Sequence, residues 1–161
     1  MIIDKSSQFA SAVALSTAGT GIANHGDVID QQALGGATGT GNLRDIGRGQ
    51  PGLYLVVLIT TTVTSGGSAT VQFILGSDSQ QPLRTDGTSE NIHVQTVAIP
   101  KATLVAGYEI ILAVPLQPPS YARYLGLQIN VGTAALTAGA ASAALVLNPN
   151  AWFAYASAVF A

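Results

Sequence analysis

The residues able to do chemistry are few: two histidines, His25 and His93, eight carboxylates and no cysteine. His25-Gly26-Asp27, with Asp30 close behind, supplies half of a metal or acid–base site. Metal sites converge three or four ligands, and the one other histidine lies in a distant segment. Asn24-His25-Gly26-Asp27 therefore predicts a turn entering the second strand. His93 alternates with Ile92 and Val94, which predicts a place on the less buried face of its strand. Asp78, Asp86 and Glu90 surround one polar segment. Glycoside hydrolysis needs a carboxylate pair about 5–10 Å apart in a cleft, and a calcium loop needs alternating Asp/Asn ligands, a Gly and a final Glu. The segment has neither pattern and predicts a solvated connection, with Asp86-Gly87 as turn chemistry. The Gly-rich stretches lack a following Gly-Lys-Ser/Thr, and no Gly-x-Ser-x-Gly elbow occurs. With no thiol there is no zinc–thiolate site, iron–sulfur cluster or disulfide framework. No catalytic residue, metal or cofactor is expected, and an enzyme is not the expected class.

Charge is scarce. Only 9% of the 161 residues are Asp, Glu, Lys or Arg, against about 25% in an ordinary soluble domain. The net charge of −2, with Lys5 and Lys101 as the lysines, leaves no basic surface for nucleic acid. Arg44, Asp45 and Arg48 form the one compact charged cluster, readable equally as a surface ion pair or as a docking contact. No charge follows Arg123, and the final segment holds Trp152, Phe153, Tyr155 and Phe160. Left exposed, those rings form an adhesive patch. They either pack back over the domain or anchor a subunit contact, and the contact is the favoured expectation.

Several short runs carry period-two patterning: 12–16, 28–30, 53–63, 69–75, 91–98, 108–115, 124–131 and 141–147. In 70–75, Val71, Phe73 and Leu75 share one face, the mark of a half-buried antiparallel strand. Residues 64–68 (TSGGS) predict a hairpin tip joining 53–63 to 69–75. Pro100 predicts one helical turn before Gly107. Residues 33–41 (ALGGATGTG) form a low-complexity loop, and residues 1–9 and 149–161 read as arms. The longest apolar run, 53–59, has seven residues, far short of the ~20 of a spanning helix. The start lacks the basic, Leu-rich character of a signal peptide. About eight short strands with no intervening helix predict an all-β two-sheet sandwich or barrel.

The sequence resembles the jelly-roll capsid cement (decoration) proteins of short-tailed bacteriophages. The resemblance begins at Met1-Ile2-Ile3-Asp4-Lys5 and Val28-Ile29-Asp30. It continues through Arg44-Asp45-Ile46-Gly47, Gly49-Gln50-Pro51 and Leu53-Tyr54-Leu55-Val56-Val57. The Val71/Phe73/Leu75 strand runs on to Asp78. Then come Ile99-Pro100, Ala102-Thr103-Leu104, Gly107-Tyr108 and Arg123-Tyr124-Leu125-Gly126-Leu127. Thr137-Ala138-Gly139 and Ala144-Leu145-Val146-Leu147 close it. The chain departs from that pattern in its longer 33–41 loop and in Asn148, where an acidic residue is common. The resemblance implies an eight-stranded antiparallel jelly roll bound to the outer surface of the phage head, the virion, after synthesis in the bacterial cytoplasm. The implied partners are the major capsid protein and a second copy of the chain, a dimer being favoured over a trimer. Membrane, nucleic acid and small-molecule substrates are not implied. The expected contacts are Ile2, Ile3 and Phe9 in one arm, Arg44, Asp45 and Arg48 at a rim, and Trp152, Phe153, Tyr155 and Phe160 in the other arm. A carbohydrate-binding or adhesin module is the alternative reading, followed by a small membrane-active protein.

Overall fold

The computed structural model describes residues 7–16, 19–31, 52–86, 88, 91–115 and 121–149. They form an all-β sandwich of β1 (Gln8–Ala14), β2 (Gly21–Asp30), β3 (Tyr54–Ser65), β4 (Thr70–Asp78), β5 (Asn91–Gln95), β6 (Ile99–Pro100), β7 (Glu109–Ala113), β8 (Tyr124–Gly132) and β9 (Leu136–Val146). One sheet, A, has the order β1-β9-β3-β7, and the other, B, the order β2-β8-β4-β5 with β6 also on β4. Every pairing is antiparallel. Without the two-residue β6, eight strands remain in two four-stranded sheets whose order is that of a jelly roll. No helix is present among the described residues, and none is long and apolar enough to cross a membrane.

The core is built by alternation. Leu55, Val57 and Ile59 of β3 face Val71, Phe73 and Leu75 of β4 and Leu125, Leu127, Ile129 and Val131 of β8, all nearly or fully buried. Side chains two apart along a strand share a face, so each strand contributes every second residue. Burying a ring such as that of Phe73 stabilises the fold by about 2–3 kcal/mol.

Three expectations change. Runs 53–63 and 69–75 do not make a hairpin, because β3 pairs with β7 and β9 while β4 pairs with β5, β6 and β8. The Ser-Gly-Gly-Ser segment instead crosses from one sheet to the other. Its Ser65 carbonyl accepts a hydrogen bond from Lys101 Nζ, and Ser65 Oγ donates to the Ala135 carbonyl at 2.6 Å. The Pro100 segment forms hydrogen-bonded turns, with Thr103 N donating to the Pro100 carbonyl and Leu104 N to that of Lys101, rather than a helix. Asn24-His25-Gly26-Asp27 is not a turn entering β2 but a bulge within it, between the Asn24–Gln128 and Val28–Gly126 pairs. The turn-forming residues are used to kink a continuous strand.

Gly26 sits at φ +81°, and a Cβ there would lie 2.1 Å from the Phe9 carbonyl oxygen. The kink therefore brings β2 of one sheet against β1 of the other. Gly26→Ala is expected to destabilise the fold by at least about 2 kcal/mol, the left-handed backbone and the steric clash adding together. Urea unfolding of both proteins checks it; an unchanged midpoint would contradict the close approach.

Candidate interaction surface

Three polar arrangements interrupt the sandwich. The first is at the end of β4. Asp78, expected in a solvated connection, has a fully buried side chain. It accepts hydrogen bonds from Arg84 Nε at 2.9 Å and Nη2 at 3.0 Å, and from the backbone N–H groups of Arg84 and Gln80. The Arg84 hydrogen bond is the largest cause holding its carboxyl down at about 2, against an opposing contribution from burial. The chain between β4 and β5 folds back over sheet B around this pair. Gly76 and Gly126 are cross-strand partners, and the bare space they share accommodates Leu83, 2% exposed. Asn24 Nδ2 donates to the Leu83 carbonyl at 2.9 Å, and Gln128 Nε2 donates to the Arg84 carbonyl at 2.7 Å. This segment, which includes the cis Gln81–Pro82 bond, is a clasp over the outer face of sheet B.

The second arrangement joins Ser77, His93 and Tyr121. His93 Nε2 and Ser77 Oγ are 2.8 Å apart, and the His93 ring stacks on Tyr121 with centroids 3.7 Å apart and planes 9° from parallel. His93 is thus 8% exposed rather than on the open face; its neighbour Ile92 is the exposed residue. The register shift between Gly76–Ile92 and Leu75–Val94 makes His93 the extra residue of a bulge, which turns it inward. A hydroxyl–imidazole pair is the beginning of a nucleophilic site. Here Ser77 is fully buried and its Oγ also accepts the Ala122 N–H at 2.9 Å, so the pair ties β4, β5 and the approach to β8 together.

The third is His25, 2% exposed in the β2 bulge. Burial pushes its pKa below the ordinary imidazole value, with a backbone hydrogen bond to Ala141 partly offsetting this. Among the described residues, no group of three or more His, Asp or Glu is placed to hold a metal ion. Arg123 grips Asp30 with two hydrogen bonds, at 2.9 and 3.0 Å, and lies 4.8 Å over the Tyr124 ring.

The outer face of sheet A is apolar. In register across the sheet run Ala113–Tyr54–Val146 and Ile111–Val56–Ala144. Val56, Ala144 and Val146 with Tyr54 form a second apolar cluster, separate from the core. Beyond it the face turns polar at Glu109–Leu58–Ser142. The seven-residue run 53–59 contained the signal, since a strand buried on one face alternates whereas one buried on both reads as continuous apolar residues.

Of the expected contact residues, Phe9 lies in β1 and is 1% exposed in the core, so it does not belong to an arm. Ile2, Ile3, Arg44, Asp45, Arg48, Trp152, Phe153, Tyr155 and Phe160 lie outside the described residues.

Residues 9–145 match the model of the Bbp16 family. The chain belongs to the Bbp16 family. That family is phage-associated, which points to a phage protein. A search of curated proteins finds no match. The Bbp16 match opens within β1 and closes one residue before the end of β9. The family pattern therefore spans the sandwich from its first strand to its last, and the two terminal segments fall outside it.

The two buried ionisable sites give a stepped acid response. His25 has a folded pKa below its unfolded value near 6.5, so its contribution to stability is complete above that pH and is lost as pH falls through it. Asp78 also has a lowered folded pKa, so its contribution is complete above about 3.8 and is lost between there and about 2. Melting temperatures from pH 8 to 2 (an assay range chosen to span both steps) should fall in two stages. His25→Gln should flatten the upper stage and Asp78→Asn the lower; unchanged profiles in both variants would contradict these placements.

Proposed function

We propose that this Bbp16-family protein is a capsid cement protein, bound to the outside of the assembled phage head and bridging neighbouring major capsid subunits. The observation that carries the reading is the family match over the whole sandwich. The jelly-roll strand order supports it, as do the ordered sequence fragments that resemble cement proteins. The composition agrees as well. Interface cores are depleted in charge, and 9% charged residues leave most of this surface free of the desolvation cost of burying ions. The buried polar groups tie strands together, which suits a rigid building block.

The mechanism is linkage. A protein that binds the assembled lattice and not its separated subunits stabilises the lattice by its binding free energy. Many copies on one shell make the effect large even where each contact is modest. The proposed contacts are Ile2 and Ile3 before β1 and the Arg44-Asp45-Arg48 cluster between β2 and β3, with self-association as a two-fold dimer.

Mass spectrometry of density-purified heads should find this chain at one copy per major capsid subunit or at a simple fraction of that. Removing residues 1–6, which precede β1, should lower occupancy while the circular dichroism of the free protein stays β-rich. Absence from heads, or only a few copies per head, would overturn the reading.

A further inference from the structure

The apolar rows on the outside of sheet A lie where the described chain ends. Val56, Ala144 and Val146 are 0%, 2% and 4% exposed although they point away from the space between the sheets. Their row neighbour Ile111 is 44% exposed, so the patch continues to an open edge. β9 finishes on the patch at Val146, paired with Tyr54. The chain then stays beside it, since a Cβ on Gly52 would lie 3.1 Å from the Leu147 carbonyl oxygen. Twelve residues, 150–161, follow; they include Trp152, Phe153, Tyr155 and Phe160 and no charge.

We propose that this patch, formed by Tyr54, Val56, Ile111, Ala113, Ala144 and Val146, is the docking site for the chain's own C-terminal segment, residues 150–161. The reach is ample. Neighbouring strands are about 4.8 Å apart, so three strands span roughly 10 Å, and six extended residues cover about 20 Å. Trp152 lies six residues beyond Val146, where β9 ends, and Phe153 and Tyr155 follow it at seven and nine. The chemistry matches, because an uncharged aromatic segment meets aliphatic rows with no ion to desolvate. Tethering favours the chain's own segment over a second copy. A short connection holds it at an effective concentration on the order of millimolar, which a separate molecule matches only at that concentration. The outer face of sheet B has a related arrangement in its clasp, where Leu83 fills the space beside Gly126.

Trp152 is the only tryptophan of the chain, so the test reads the segment directly in the free protein and does not depend on capsid binding. The full-length protein should show blue-shifted emission and resist iodide quenching, unchanged on dilution. Ile111→Glu and Ala113→Arg replace side chains already exposed on the patch, so the sandwich should keep its circular dichroism and melting transition. In both, the emission should shift to the red and the quenching constant should rise several-fold. Solvent-exposed emission in the unmodified protein would overturn the proposal, as would emission indifferent to both substitutions. A blue shift that disappears on dilution, together with dissociation in sedimentation, would also overturn it and assign the patch to a second copy.

Discussion

β3 and β4 follow one another in the chain yet lie in opposite sheets, and the sandwich rests on that crossing. It sets Leu55, Val57 and Ile59 facing Val71, Phe73 and Leu75, so two strands rich in large apolar residues close on each other. β9 and β8 then pair alongside them with matching inward faces. A hairpin of the same two runs would place both in one sheet and leave their shared apolar face without the opposing layer it needs.

Polar groups inside the sandwich sit where regular pairing is interrupted. Asp78 is at the end of β4, and His93 and His25 are in bulges. Asp78 holds Arg84 with two side-chain hydrogen bonds. Such buried pairs contribute little net stability when compared with apolar replacements, but breaking one strands a charge. They therefore fix the arrangement of the loops more than they strengthen the core.

The two outer faces are treated differently. On sheet B, glycines on adjacent strands leave room for Leu83, and the chain between β4 and β5 covers the face. On sheet A, the rows through Tyr54 and Val56 are apolar, and the next row, through Leu58, is polar at both ends, Glu109 and Ser142. In the proposed cement role such division lets one face be closed by the chain itself while other segments meet neighbours. The family match, which covers the sandwich and stops short of both termini, is compatible with that separation.

The sequence by itself determined the all-β class, the shared apolar face of β4 and the scarcity of charge, because period-two alternation and composition are local properties. It also carried the continuous apolar run of β3, whose second buried face is visible only once Leu55 and Val56 are seen to point opposite ways. Tertiary structure alone decided that the Ser-Gly-Gly-Ser segment crosses between sheets, that His93 turns inward onto Ser77, and that Asp78 meets Arg84. Turn chemistry is the same for a hairpin, a bulge or a crossing, and burial depends on which distant strand arrives. Phe9 shows the same limit: its neighbours in sequence suggest an arm, and only pairing of β1 with β9 places its ring in the core.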